Sequence, residues 1–394
     1  MVKIGFFGVK RGKTYFDILK KEEERAKIVA VCDSDPEVKK KFLVTPVFDD
    51  FDSFLEYGKE QGMNAVFLAN FFNQHTPYAI RCMEAGMDVI SECTASSTMK
   101  ECVELVRAVE RTGRKYMLAE NYPFMASKLE MARIVEGDTL GTLLYAEGEY
   151  NHTGDIDELK RLTPSKYHWR AWMPRTYYLT HALGPIMYMT KSEPKYISGR
   201  CATSGLLEEI KDFRPNSDGV GMMFCEMDNG MIARFTGCTA MASDYGRYRI
   251  CGDKGSTESG EYINNMVRVL YHGFTTPESA PQSQMYKADF SRYGEKGKLA
   301  AASGHGGSDY WVVQQMLDYF ENGTLPYFDV YRATMMSATA ILGWRSAMNH
   351  GENLRIPDFR NDADRLLYEN DADTPFPDEN GNGATIPCAT RMLK

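Results

Sequence analysis

Gly5-Phe6-Phe7-Gly8-Val9-Lys10-Arg11-Gly12 continues the apolar run that begins at Val2, and further along Ala30-Val31-Cys32-Asp33 closes a second apolar run on a carboxylate. A strand that enters a glycine turn and opens a helix aims backbone N–H groups at a pyrophosphate. An acid at the end of the next strand can accept the hydroxyl protons of a ribose. As a fingerprint the glycine pattern is degenerate: Lys10 stands near the second glycine of the usual Gly-x-Gly-x-x-Gly and one residue is missing, so the loop alone reads equally well as a bare turn. Asp33 changes that balance. Its charge repels a ribose phosphate and no arginine follows it directly, which favours NAD over its phosphorylated form. The plain alternative for Asp33 is a surface acid that caps the next helix.

Outward from this segment, Ile28 to Cys32, Ala65 to Ala69, Asp88 to Ile90 and Tyr116 to Ala119 read as further short strands. Helix patterns lie between them. In Met99 to Glu110, Cys102, Leu105, Val106 and Val109 recur at three- and four-residue spacing and predict one face buried on a sheet. Strand and helix in regular alternation predict a parallel sheet, and the expected domain spans residues 1–122.

Beyond Asn121 the pattern changes. A helix is expected at Lys128 to Glu136, then longer strands at Thr142 to Tyr150, Gly219 to Met227, Met231 to Cys238 and Tyr248 to Cys251. Asp228-Asn229-Gly230 and Asp253-Lys254-Gly255 have hairpin chemistry, so an α+β domain with a large, mostly antiparallel sheet is expected over 123–358. Asp329 to Asn349 reads as a further helix. The segment 359–394 is a polar tail without an assignable pattern. The fold class is therefore a Rossmann α/β domain followed by an α+β domain.

Of the 394 residues 43% are hydrophobic, which suits packed domains, and the net charge of −8 argues against a nucleic-acid surface. A small-molecule partner is expected instead. No apolar run is long enough to cross a membrane and no signal-peptide pattern opens the chain, so a cytoplasmic location is expected. Nine cysteines without a Cys-x-x-Cys pair suit reduced thiols, and no His/Cys spacing suggests a metal. The second-domain sheet could pair face to face with a copy of itself, as in proteins this chain is similar to, so a homo-oligomer is expected.

Asn70-Phe71-Phe72-Asn73-Gln74-His75 and Ser91-Glu92-Cys93-Thr94 each follow a predicted parallel strand, at the ends where such sheets bind ligands. The Asp33 strand, the His75 loop, Glu84-Ala85-Gly86, Glu92, Glu110-Arg111-Thr112-Gly113 and Asn121, in this order and spacing, resemble the Gfo/Idh/MocA family of NAD(P)-dependent sugar and polyol oxidoreductases. The resemblance extends from Val2 to about Phe359. It implies a cofactor site built from Gly8, Arg11, Gly12, Asp33, Asn70, Asn73, His75, Glu92, Cys93 and Asn121. Dehydrogenases of that family typically carry Glu-Lys-Pro after the fifth strand, the lysine moving the proton of the substrate hydroxyl. Here Glu92-Cys93-Thr94 lacks it.

Tyr177-Tyr178-Leu179-Thr180-His181-Ala182-Leu183-Gly184-Pro185, with His168-Trp169-Arg170 before it, is similar to the NAD-dependent glycosidase branch typified by α-N-acetylgalactosaminidases, which also lacks the lysine. Ala119 to Tyr122, Leu144 to Tyr150 and Gly304-His305-Gly306-Gly307-Ser308-Asp309 extend the similarity. The resemblance implies that hydride leaves carbon 3 of a sugar for NAD and returns, while the transient ketone acidifies carbon 2 and permits elimination of the anomeric group. It assigns Tyr178, His181 and Tyr150 to catalysis, Tyr178 as the base at carbon 2. Thr180 and His305 fall to substrate binding, and Arg170 to contact with substrate or cofactor. Structural readings stand beside these: packing for Tyr178, Tyr150 and the tryptophans, a helix-end role for His181, an ion pair for Arg170, and a flexible loop at His305 with Asp309 capping the next helix. A net sugar dehydrogenase and a non-catalytic NAD-binding sensor are the competing functions.

Overall fold

A computed structural model of the protein describes residues 1–42, 44–240, 246–259 and 265–393. These form two units whose chain segments interleave. The first takes residues 1–121, 295–337 and 358–372, and the second takes 122–294, 338–357 and 373–394.

In the first unit six strands form one parallel sheet: β1 (Val2–Phe7), β2 (Ala26–Cys32), β3 (Val47–Phe48), β4 (Ala65–Leu68), β5 (Asp88–Ser91) and β6 (Tyr116–Leu118). Their spatial order is β3-β2-β1-β4-β5-β6, the doubly wound arrangement of dinucleotide-binding domains. Parallel strands are covered on both faces, which is why β4 is apolar at every position and buried throughout. Phe6 stacks on Phe67 at 5.2 Å between ring centres, and Tyr15 tilts against Phe67 at 4.6 Å. The helix Met99–Thr112 buries Cys102, Leu105 and Val106 as the spacing predicts. A capping box between Thr98 and Glu101 starts it, and Gly113 in the left-handed conformation ends it.

The segment 295–337, expected in the second domain, belongs to the first unit, where Asp329 bridges Met117 of β6. Its helix Ser308–Asn322 packs on the helix Lys13–Leu19. Part of the expected tail also folds here, as the helix Asp362–Tyr368, and Arg365 pairs with Glu110.

The second unit contains nine strands: β7 (Leu143–Asn151), β8 (Pro194–Thr203), β9 (Asp218–Met227), β10 (Ile232–Cys238), β11 (Tyr248–Gly252), β12 (Gly255–Ser259), β13 (Met266–Tyr271), β14 (Ser283–Lys287) and β15 (Leu354–Arg355). Their order is β14-β13-β12-β11-β7-β10-β9-β8-β15, antiparallel except for the β7–β10 pair. Both predicted hairpins are present, joining β9 to β10 and β11 to β12. Part of the expected tail packs in this unit: Trp344 donates its indole N–H to the Pro387 carbonyl at 2.8 Å, and Phe376 packs edge-on to Tyr177.

One face of this sheet carries the helices Ala126–Glu136 and Thr180–Thr190. The second lies close because β7 has Gly148 beneath it: a Cβ there would come within 2.2 Å of the Ala182 carbonyl oxygen. Backbone cannot yield as a side-chain tip can. Gly148→Ala should therefore cost about 1–3 kcal/mol, read as a lower urea midpoint at unchanged slope; an unchanged midpoint would show that the close approach is not needed.

Candidate cofactor and catalytic sites

The first unit gathers the residues expected at the cofactor. Gly8 adopts φ +87°, and a Cβ on it would come within 2.4 Å of the Ala69 carbonyl oxygen, so only glycine lets the turn pass beside the end of β4. Asp33 orders the neighbouring loops. Its Oδ2 accepts from the Val9 N–H at 2.9 Å and its Oδ1 from the Asp35 N–H at 3.0 Å. Two acceptor oxygens have lone pairs beyond these bonds, as a ribose diol requires.

Arg11 extends away from the turn into a set of carboxylates. Its Nε pairs with Glu92 Oε1 at 2.8 Å, and one terminal nitrogen lies 3.5 Å from Asp309 Oδ2. It also donates to Thr14 and Tyr15. The guanidinium is thus neutralised by two acids, an arrangement that leaves it unsuited to a ribose phosphate and agrees with NAD. Asp309 begins the helix Ser308–Asn322 without capping it, since Gly307 holds the N-cap position with no side-chain hydrogen bond. The Asp309 carboxylate instead accepts from Asn121 Nδ2 and from His305 Nδ1, both at 2.7 Å. His305, expected at the substrate, therefore lies against Arg11 and Asp309 within the first unit.

His75 is buried and its Nδ1 lies 2.7 Å from the Thr94 carbonyl oxygen. Only a protonated nitrogen can face a carbonyl, so Nδ1 carries the proton. Burial pushes the ring's pKa down, keeping it neutral with Nε2 as an acceptor. That Nε2, both polar atoms of the Asn70 side chain and Asn121 Oδ1 are buried without a hydrogen-bond partner among the described residues. Such groups are rare in folded proteins because an unmade hydrogen bond costs about 1–3 kcal/mol. All follow β4 or β6, where a doubly wound sheet receives its nucleotide, so the residues fit a dinucleotide. At the position of the missing lysine, the buried Cys93 thiol donates to Glu120 Oε2 at 3.2 Å. Asn73 lies in the short turn Phe72–Gln74 with its carbonyl accepting from Ser97, and Gly12 precedes the first helix.

The second unit gathers the expected catalytic residues into one aromatic cluster. Tyr150, near the end of β7, has ring-centre distances of 4.8 Å to His181, 5.6 Å to Tyr178 and 5.3 Å to Tyr122. Tyr178 ends the turn Arg175–Tyr178, and His181 opens the helix Thr180–Thr190, with 5.3 Å between their rings. Tyr122, to which the similarity over Ala119 to Tyr122 assigned no role, stacks on His181 at 4.2 Å. Burial, with Tyr178 and Tyr122 adjoining, pushes the Tyr150 pKa well above the ordinary phenol value, so this phenol is a proton donor. Thr180 is buried with its hydroxyl unpartnered among the described residues. Arg170 lies over the Trp169 ring at 4.3 Å.

A second group missed by sequence reasoning lies under this cluster. Tyr248 donates its hydroxyl to the His181 carbonyl oxygen at 2.5 Å, and Lys128 sits 4.7 Å over the Tyr248 ring. Lys128 is 6% exposed and forms no ion pair among the described residues. Its neighbours are the ring face and the Met125 sulfur. Burial brings its pKa down to about 8 from an ordinary 10.5.

The fold and first-unit site define the class: an oxidoreductase with a dinucleotide-binding Rossmann domain. Residues 2–120 match the family model described as oxidoreductase family, NAD-binding Rossmann fold, and 129–258 match the GFO/IDH/MocA C-terminal domain. The chain belongs to the GFO/IDH/MocA family, and residues 247–363 match the glycosyl hydrolase 109 C-terminal domain. Among its relatives, the alpha-N-acetylgalactosaminidase of Shewanella oneidensis is 25% identical over 92% of this chain and 86% of its own length. A glycosyl hydrolase family 109 protein of Shewanella putrefaciens is 24% identical over the same shares. Among solved structures, levoglucosan dehydrogenase in complex with NADH and levoglucosan superposes with a TM-score of 0.77 at 16% identity, covering 90% of this chain and 99% of that one. Aldose-aldose oxidoreductase from Caulobacter crescentus gives 0.70 at 16% identity over the same shares. These structures share the fold. No helix among the described residues is long and apolar enough to cross a membrane.

The lowered Lys128 pKa has a testable sign. Between about pH 8 and 10.5 the unfolded chain binds more protons at this side chain than the folded one, so its contribution to stability rises with pH across that window. Lys128→Met should therefore be the more stable protein at pH 7, by about 3 kcal/mol at most. Thermal unfolding should show that advantage shrinking as pH rises from 8 to 10.5. A gap independent of pH would contradict a buried, unpaired ammonium.

Proposed function

We propose that this NAD-dependent enzyme cleaves a glycoside by a redox-neutral route. The observation that carries the reading is the Tyr122–Tyr150–Tyr178–His181 cluster, which groups three phenols and an imidazole on one end of the second-unit sheet. An ordinary glycosidase needs one protonated and one free carboxyl group. The adjacent acids Glu147 and Glu149 are unsuited to that work, because Arg234 pairs with both and Arg249 with Glu147.

NAD, when bound, would accept a hydride from carbon 3 of the sugar and later return it. Tyr150, kept protonated by burial, would hold a reacting hydroxyl as donor, with His181 taking and returning the carbon 3 hydroxyl proton. Tyr178 would remove the proton from carbon 2, acidified by the neighbouring ketone. The electron pair of that C–H bond forms the carbon 1–carbon 2 double bond, and the aglycone leaves carbon 1 with its electrons and gains a proton. Water would then add across the double bond, its hydroxyl at carbon 1 and a proton at carbon 2, and His181 would return the proton to the carbon 3 oxygen. Arg170 and Thr180 would contact the sugar.

A panel of nitrophenyl glycosides of both anomers, assayed for nitrophenol and for absorbance at the reduced-cofactor band, tests the reading. Nitrophenol should be released without net NADH. Stoichiometric NADH with no nitrophenol would mark a sugar dehydrogenase instead. Tyr178→Phe should lower the rate by at least about a hundredfold with NAD still bound; no loss of any measured function in this variant would favour a binding protein.

We also propose a homo-oligomer assembled through the sheet face opposite the helices. That face combines the Glu147–Arg234–Arg249 ion pairs with Phe224 at 51% exposure and Ile232 at 54%. Cross-strand register places Arg234 opposite both Glu147 and Phe224. Sedimentation should show an oligomer that Ile232→Asp dissociates; a wild-type monomer at micromolar concentration would exclude it.

A further inference from the structure

Asn121 is 1% exposed, and the two ends of its amide meet different surroundings. One end lies 2.7 Å from Asp309 Oδ1. Asp309 is fully buried and also accepts from His305 Nδ1–H at 2.7 Å, with Arg11 3.5 Å away. Burial alone would raise its pKa, but the His305 hydrogen bond, the Arg11 charge and the Asn121 hydrogen bond together hold it well below the usual carboxylate range. A carboxylate in that state only accepts, so the amide atom facing it is nitrogen. The amide oxygen is therefore turned the other way, buried and unpartnered among the described residues.

The position of Asn121 in the sheet says what that oxygen addresses. Asp33 follows β2 on one side of β1, while Asn121 follows β6 at the far edge on the other side. A dinucleotide whose adenosine ribose meets Asp33 carries its nicotinamide half toward the ends of β4 to β6. The donors on that half are the carboxamide N–H groups and the ribose hydroxyls.

We propose that Asp309 is a positioning residue for the cofactor: by accepting from the Asn121 amide nitrogen it fixes which way the amide points and aims Asn121 Oδ1 at a hydrogen-bond donor on the nicotinamide half. The inference rests on NAD binding by the first unit. It makes the loop Gly304–Gly307 and the start of the following helix part of the cofactor site, although they lie far from the strand–turn–helix in sequence. With Asp309 replaced by Asn, the new amide can donate to Asn121 Oδ1 and reverse it, which would present N–H groups to a donor.

The test is calorimetric titration of the full-length chain with NAD and with 3-acetylpyridine adenine dinucleotide, whose methyl ketone lacks the carboxamide N–H but keeps the ribose. The wild type should prefer NAD by roughly tenfold or more, and Asp309→Asn and Asn121→Ala should each bring that ratio close to one. The double variant should bind no more weakly than either single one, since both changes remove the same bond. Equal wild-type affinities, with both lowered about tenfold or more in Asp309→Asn and again without addition in the double variant, would support the positioning role and make a ribose hydroxyl the donor. Wild-type affinities in Asp309→Asn, or losses that add in full, would overturn the proposal. Should Asp309→Asn not fold, Asn121→Ala decides: unchanged NAD affinity overturns it and a lost preference supports it. No NAD binding by the wild type would overturn the cofactor assignment beneath it.

Discussion

The ion pair between Arg11 and Glu92, closed at 2.8 Å and continued to Asp309, ties the first unit's functional segments together. Arg11 comes from the turn after β1, Glu92 from the end of β5, and Asp309 from a helix hundreds of residues further along. Charges drawn partly out of water need partners, and removing one leaves the other less well compensated. The turn, the strand end and the later helix are consequently constrained to one arrangement. Asn121, His305 and Tyr15 take their positions from it.

The same constraint gives meaning to Cys93. In a dehydrogenase of this family a lysine would stand here, and it would add a further positive charge beside Arg11. In this chain the thiol turns to Glu120. The proposed route assigns proton transfer to the phenols and imidazole of the second unit, where burial pushes the Tyr150 pKa up and keeps that phenol protonated. Beneath the cluster, Lys128 lies against the Tyr248 ring face.

Much of this was legible in the sequence. The strands of the first sheet follow from short apolar runs at regular intervals, with β3 escaping notice because two residues carry no period. The hairpins of the second sheet follow from their turn residues. Asn70, His75, Asn121 and Asp33 were legible as strand-end positions, and their buried, unpartnered or multiply bonded polar atoms agree with that reading. Tyr150, Tyr178 and His181 were legible through a motif, and the structure brings them into one cluster.

What was not legible depends on tertiary pairing. Nothing in the pattern of 295–337 says that this segment joins the first unit, because the contacts that hold it there are a bridge at Asp329 and side-chain bonds at Asp309. Asp309 reads locally as a helix cap, and it is drawn from that role by a buried amide and an imidazole that offer stronger partners. Tyr122, Lys128 and Tyr248 were legible only as members of a similar segment, a helix and a strand, with nothing in their spacing to mark them as part of the cluster. The central claim is that hydride is borrowed and returned, and turnover of a glycoside carrying deuterium at carbon 3, run in ordinary water and in heavy water, tests it most directly. The released sugar should keep its carbon 3 deuterium and, in heavy water, gain one solvent deuterium at carbon 2. Product without solvent label at carbon 2, or deuterium lost from carbon 3 to accumulating reduced cofactor, would contradict the account.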